Sequence, residues 1–126
     1  MVRIFLAIAA ILAGLAVAAG AFASHALRDK LSDRALEIFE TASRYQMYHA
    51  LALLLVAVLL TQVALPSTLL NTAGYAFLVG IMLFSGSLYA LSLSGVKWLG
   101  AITPLGGVAF LIGWGCVAAA AWSFKF

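Results

Sequence analysis

The sequence predicts an all-α integral membrane four-helix bundle, with an amphipathic interfacial helix between spans 1 and 2. Two observations predict it. Hydrophobic residues fill 66% of the chain and charged residues only 9%, whereas roughly half of a soluble domain is apolar. The charges are also segregated. Eight of the eleven lie between Arg28 and Arg44, while Arg3, Lys97 and Lys125 stand at the margins of apolar runs. A length of 126 residues leaves room for one membrane domain and little more.

The first predicted span covers about residues 4–24. Its start resembles a secretory signal, with Arg3 as a short basic region, an apolar stretch over residues 4–19 and an A-x-A-like site at Ala21-Phe22-Ala23. The apolar run is close to the roughly 20 residues that a span needs, so a retained first helix is expected. The second span covers about residues 47–65, stopped by Pro66 and Ser67. The third covers about 69–94, stopped by Ser94-Gly95. The fourth covers about 103–124, with Thr103 as N-cap and Pro104 at the first helical position, where its missing N–H costs nothing. In lipid each such run must satisfy its own backbone, which makes it a helix.

Small residues mark faces where membrane helices approach closely. Ala10, Gly14 and Ala18 form such a face in span 1; Gly86, Ala90 and Ser94 in span 3; Ala109-Gly113 and Gly115-Ala119 in span 4. Residues 51–60, rich in large aliphatics, are expected to contact more lipid.

The connector, about residues 31–45, has helical periodicity. Leu31, Ala35, Ile38, Phe39, Ala42 and Tyr45 share one face, and Asp33, Glu37, Glu40 and Arg44 the opposite one. Ser32 is a suitable N-cap, and Glu40–Arg44 a well-oriented i,i+4 pair. The polar face is mostly acidic, unlike that of a helix gripping anionic lipid. Its apolar side is expected to dock on the bundle, or its acidic side to meet a partner.

Lys and Arg counts set orientation. Arg28, Lys30, Arg34, Arg44 and Lys97 lie on one side, Arg3 and Lys125 on the other. This places the connector in the cytoplasm and both termini outside the cell membrane. The net charge of +3 does not point to nucleic acid, because the stretch from Arg28 to Arg44 carries four cations and four anions. Cys116 is the only cysteine and lies in an apolar run, so no internal disulfide or CxxC site is possible.

No Asp, Glu, Lys or Arg stands at mid-depth in any predicted span. Pumps and voltage sensors normally carry such groups there, and serine-nucleophile and phosphate-loop motifs are missing. A non-enzyme is therefore expected, with no cofactor. The most suggestive polar residues are His25 and His49, at the end of span 1 and the start of span 2. They are expected at similar depth, close enough to meet. Two imidazoles can ligate a haem iron axially, contact a proton or ligand, or serve as a structural clamp through hydrogen bonds. Tyr45, Gln46 and Tyr48 surround His49 with further donors and acceptors. Ser85, Ser87 and Tyr89 are placed to bridge helices, and Trp98 reads as an interfacial anchor.

Four ordered blocks carry a family resemblance. Gly20-Ala21-Phe22-Ala23-Ser24-His25-Ala26-Leu27 resembles the GAFGAHAL-like signature of the YgdD/YwdK-like group of small bacterial membrane proteins. Tyr45-Gln46-Met47-Tyr48-His49-Ala50-Leu51 resembles its second signature, and Phe84-Ser85-Gly86-Ser87-Leu88-Tyr89 its third. Thr103-Pro104-Leu105-Gly106-Gly107, continuing to Gly113-Trp114, resembles the fourth. Ser24 departs from the family's usual alanine. The resemblance implies a four-span inner-membrane protein with mitochondrial relatives. It implies no activity, the family being a domain of unknown function, but it does place His25 and His49 inside signature blocks.

The function expected from these features is structural: a small helical membrane protein that contacts the lipid bilayer and joins a membrane protein complex or a homo-oligomer. The alternative is a membrane-embedded binding protein for a lipid, quinone or haem near His25 and His49, with Tyr45 and Gln46 contributing.

Overall fold

The computed structural model describes residues 1–64 and 67–124. α1 runs from Val2 to Phe22 and continues through a π turn at Ala23–Leu27. After a short reversal, α2 spans Asp33–Leu60, and the Ser32 Oγ accepts from the Ala35 N–H at 3.1 Å, which caps its first turn as expected. α3 covers Thr68–Gly80, capped by the Ser67 Oγ. A π turn at Ile81–Ser85 joins it to α4, Gly86–Ser94. Gly95 ends α4 at φ +71°, a left-handed conformation that glycine adopts without steric cost. A 3-10 turn at Lys97–Ala101 leads into α5, Thr103–Ala120, which closes with another at Ala121–Ser123.

Among the described residues, four helical segments are long and apolar enough to cross a membrane: Val2–Leu27, Asp33–Leu60, Thr68–Ser94 and Lys97–Ser123. The boundary expected between the connector and span 2 is absent. No Gly or Pro interrupts residues 33–60, so the helix started at Ser32 continues through the change in polarity. Its 28 residues extend about 42 Å at about 1.5 Å each, beyond a hydrocarbon core of about 30 Å. α2 ends at Leu60, short of the expected 65. Leu65 and Pro66, assigned to that boundary, lie outside the described residues, as does Lys125.

Successive spans pack antiparallel, α3 and α4 together forming the third. The Phe22 ring meets Phe39 near one end of the α1–α2 pair, and the Gln46 side chain reaches Leu12 further along. The main core gathers Phe5, Leu53, Val56, Leu70, Phe77 and Phe110. A second cluster, Ala23, Leu27 and Phe39, ties the end of α1 to the first turns of α2.

Two packing expectations are corrected. α2 is the most buried of the four spans, not the most lipid-exposed, because Leu53, Val56 and Ala57 face the core while Leu51, Leu55 and Val58 face out. Most of the small-residue faces also point outward. Ala10, Gly14, Ala18, Gly86, Ala90, Ser94, Gly115 and Ala119 are all exposed. Of the expected pairs, Ala109-Gly113 is the one that turns inward, with Gly113 buried. In lipid both faces of a helix are apolar, so small residues alone do not say which face is internal.

Candidate functional site

Helical spacing puts Ala42, Gln46, His49, Leu53 and Val56 on the inner face of α2. Two of these are polar: Gln46 is 6% exposed and His49 5%. Buried polar atoms in a bilayer need protein partners, since no water is at hand. Gln46 finds them on two other helices. Its Nε2 donates to the Leu12 carbonyl at 2.8 Å, and its Oε1 accepts from the Tyr89 hydroxyl at 2.8 Å. One side chain thereby joins α1, α2 and α4. Ser85, in the π turn, donates to the Ala42 carbonyl at 2.7 Å and fixes that turn against α2.

His49 is held on both ring nitrogens. Nδ1 lies 2.8 Å from the Tyr45 carbonyl, and the Trp114 indole N–H donates to Nε2 at 3.2 Å. A carbonyl can only accept and an indole N–H can only donate, so the pattern requires the neutral imidazole with its proton on Nδ1. The ring also stacks on Phe110, with centroids 3.4 Å apart and planes 6° from parallel. Phe77 and the Trp114 ring complete the surround. The chemistry offered here is cross-linking of helices: an α2 imidazole is fixed by two aromatic residues of α5.

The rings fit because glycines make room. A Cβ at Gly80 would strike the Phe110 ring, one at Gly113 the Phe77 ring, and one at Gly106 the backbone of Phe84. Close to Gly106, Ser87 Oγ and Thr103 Oγ1 are 2.7 Å apart and join α4 to α5. Thr103 is therefore a bridging residue. Ile102, not Thr103, stands at the N-cap, without a side-chain capping bond, so Pro104 falls at the second helical position, one later than expected.

The two histidines are not brought together. His25 lies exposed in the π turn that ends α1, with no hydrogen-bond partner among the described residues, whereas His49 is in the interior. Leu12, whose carbonyl accepts from Gln46 one helical turn before His49, is 13 residues before His25. That is about 20 Å along a helix. The expectation of similar depth fails because α2 begins at Asp33, which places His49 well inside a helix rather than at its start. An axial pair on one haem iron is incompatible with this spacing, and both His49 nitrogens are engaged already.

Of the other residues singled out, Tyr45 and Tyr48 are exposed and stack edge to face at 5.6 Å, with Tyr45 also against Phe84 at 4.6 Å. Phe22 is half exposed and Gly20 lies near Ser43. Pro104 is exposed, and a Cβ at Gly86 or Gly107 would meet nothing within 4 Å. Sequence reasoning missed Leu12, Phe77 and Phe110 as parts of the network, and the pairing of Trp114 with His49. An indole N–H inside an apolar span needs an acceptor, a signal that pointed from Trp114 to the histidine.

Comparison with known proteins agrees with the resemblance in the four blocks. Residues 19–107 match the family described as protein of unknown function DUF423. The UPF0382 membrane protein YwdK of Bacillus subtilis is 47% identical over 119 residues, covering 94% of this chain and 96% of its own. A UPF0382 membrane protein of Staphylococcus epidermidis is 47% identical over 112 residues, 89% of each chain. No solved structure matches the chain at a significant level. The chain belongs to the DUF423 family, whose curated members include these UPF0382 membrane proteins.

Proposed function

We propose that this member of the UPF0382 family is a non-enzymatic membrane protein, an accessory or self-associating subunit of the bacterial inner membrane. The observation that carries the reading is the outward face of α1. Ala7, Ala10, Gly14, Ala18 and Ala21 follow one another at spacings of three and four, and all are exposed. The inward face of the same helix presents Phe5, Ala9 and Ala16 to the chain's own core. Lipid tails are as apolar as the helices, so a small-residue face supports association through close backbone approach. The non-catalytic part is supported by the interior polar groups: Gln46, His49, Ser85 and Tyr89 are spent on interhelical or backbone hydrogen bonds.

The test is disulfide crosslinking of Gly14→Cys in a Cys116→Ser background, in native membranes. Crosslinked dimers, or a stoichiometric partner recovered in mild detergent, are expected, and adding Ala10→Leu on the same exposed face should abolish the crosslink of Gly14→Cys. A strictly monomeric particle with no enriched partner overturns the reading.

The first turns of α2 are proposed to lie at the cytoplasmic boundary as an amphipathic extension of the span. Its length beyond the hydrocarbon core supports this, as do exposed Asp33, Glu37 and Arg44 beside buried Phe39 and Ala42. The exposed pairs Arg34–Glu37 at 3.1 Å and Arg44–Glu40 at 3.9 Å add little stability, which leaves the acidic face open to a partner. Alkaline phosphatase fused after Phe126 should be active. An inactive fusion, with a fluorescent green protein at the same position, would invert the map.

A further inference from the structure

The four spans have nearly equal lengths, 26 to 28 residues, yet their polar ends do not coincide. On the fourth span the strongly exposed Trp98 and Trp122 stand 24 residues apart. That is about 36 Å, a hydrocarbon core of about 30 Å with an interfacial aromatic at each edge. Lys97 precedes Trp98, and Arg28 follows the π turn of α1, so the boundary at this end meets those spans at residues 28 and 98. α2 differs. Its exposed aromatic residues at this end are Tyr45 and Tyr48, and before them its outer face carries Arg34, Glu37, Glu40 and Arg44. Contacts fix the relative depth. Ser43 lies beside Gly20 of α1, Ala42 accepts from Ser85, and Tyr45 stacks on Phe84, which packs on Gly106 of α5. Gly20 is eight residues inside Arg28, and Gly106 eight inside Trp98, about 12 Å in each case.

The turn Glu40–Arg44 is therefore level with Val17 of α1 and Leu105 of α5, apolar residues that are more than half exposed. Charges open to hydrocarbon are costly, and snorkelling lifts the Arg44 head group only part of the way out. From Tyr45 to its end at Leu60, α2 has 16 residues, about 24 Å, which is about 6 Å short of the core. A short apolar segment draws the bilayer surface towards it. We propose that the bilayer surface dips along α2, with phospholipid head groups and their water descending about 10 Å to the turn at Tyr45–Tyr48. On α1, α4 and α5 they stay at Arg28, Ser94 and Trp98. The chain thus thins one leaflet on one flank. Three features select head groups over lipid tails or another chain. Arg44 and Glu40 present both signs, as the phosphate and ammonium of phosphatidylethanolamine require. The pairs Arg34–Glu37 and Arg44–Glu40 already match each other's charge, so they need a polar medium and no complementary protein. Tyr45 and Tyr48 make no hydrogen bond through their hydroxyls among the described residues, and an apolar ring with a free hydroxyl belongs at the head-group level. The inference rests on the first turns of α2 lying at a membrane boundary. The phosphatase fusion decides which boundary, and the dip accompanies α2 on either side.

The test uses the full chain in phosphatidylethanolamine–phosphatidylglycerol nanodiscs, which leave both faces open. They contain a trace of phosphatidylethanolamine whose amine carries a maleimide. Single cysteines are introduced in the Cys116→Ser background: Thr41→Cys, which leaves every charge of α2 in place, and Val17→Cys and Leu105→Cys at nearly the same level. Thr41→Cys should couple to the head group about tenfold faster than the other two, because the thiolate is the reacting form and hydrocarbon suppresses it. Glu40→Leu together with Arg44→Leu extends the apolar run, and should lower the Thr41→Cys rate to that of the controls. The comparison of the three positions stands without that double variant. Equal rates at all three positions, slow or fast, overturn the proposal, since the boundary is then flat. So does coupling of Thr41→Cys to a water-soluble maleimide alone, which describes a water-filled crevice without lipid heads. Thr41→Cys reactive in nanodiscs but shielded in native membranes would give the face to another chain, and an unchanged rate in the double-leucine variant would remove the charges as the cause. Loss of crosslinking at Gly14 with retained coupling at Thr41→Cys would sink the association reading alone.

Discussion

Between α3 and α5 a Cβ on Gly80, Gly106 or Gly113 would collide with Phe110, Phe84 or Phe77, whereas on Gly14, Gly86, Gly107 or Gly115 it would meet nothing within 4 Å. The same residue thus does opposite things in two regions. On the α3–α5 side glycines are notches, each filled by an aromatic ring or by the neighbouring backbone. On the faces of α1, α4 and α5 that look outward they are bare backbone presented to the surroundings. In lipid, burying apolar surface gives helices no advantage over contact with acyl chains, so close packing and hydrogen bonds must supply the cohesion. The notched side has both, since α5 also bonds through Trp114 to His49 of α2 and through Thr103 to Ser87 of α4.

The largest effect that this contrast predicts is at Gly106. Its Cβ would meet backbone atoms of Phe84, which cannot rotate away as a side chain can. Overpacking a well-filled interior costs typically 1–3 kcal/mol and sometimes more. Gly106→Val should therefore lose about 3 kcal/mol, measured as a large drop in thermal unfolding temperature in detergent. An unchanged melting temperature would break the distinction between notch and open surface.

An intermediate effect is expected where the seam is polar. His49→Ala removes the acceptor of the Trp114 indole and the ring stacked on Phe110. About 2 kcal/mol should be lost through the cavity and the unpaired donor. Trp114→Phe removes the same hydrogen bond from the other side, so the double substitution should be less than additive by about 0.5–1.5 kcal/mol. His25→Ala, at an exposed position, should stay within about 0.5 kcal/mol of the parent. Additive losses at His49 and Trp114, or a large loss at His25, would move the fastening point away from the seam.

How far this arrangement could be read in the sequence follows from the same physics. The four spans were legible because hydrocarbon admits little except long apolar helices, and the caps at Ser32 and Gly95 were legible because each rests on a local rule. The inner face of each helix was not. In water, polarity separates inside from outside. In a bilayer Leu15 faces out and Leu53 faces in with no local mark to distinguish them. The break placed after Tyr45 followed a change in composition, but polarity changes do not end helices and nothing else there does. Gln46 and His49 were recognised as candidates, but their partners Leu12, Tyr89 and Trp114 lie 34, 43 and 65 residues away. Tertiary packing alone brings them near.

The smallest effect predicted is at an open glycine, and it sharpens the comparison most. Gly115→Ala adds a methyl group that meets nothing within 4 Å, so no steric loss arises within the chain. In water the same change in an exposed helix stabilises by about 0.4–1 kcal/mol, largely because the unfolded chain loses freedom. In a membrane the separated helices remain helical, since their backbone has no other partner. Most of that gain then cancels between the two states. Gly115→Ala should shift stability by less than about 0.5 kcal/mol in monomeric detergent particles, a value set by how little the reference state changes. The measurement gains meaning when repeated in native membranes, where neighbouring copies are present. A loss confined to the membrane would identify Gly115 as a notch for another chain and extend the close-packed mode of α3 and α5 to contacts between molecules. A loss in the monomer would mean that α5 is seated differently from the arrangement described, because no atom of the described residues stands where the new methyl would go.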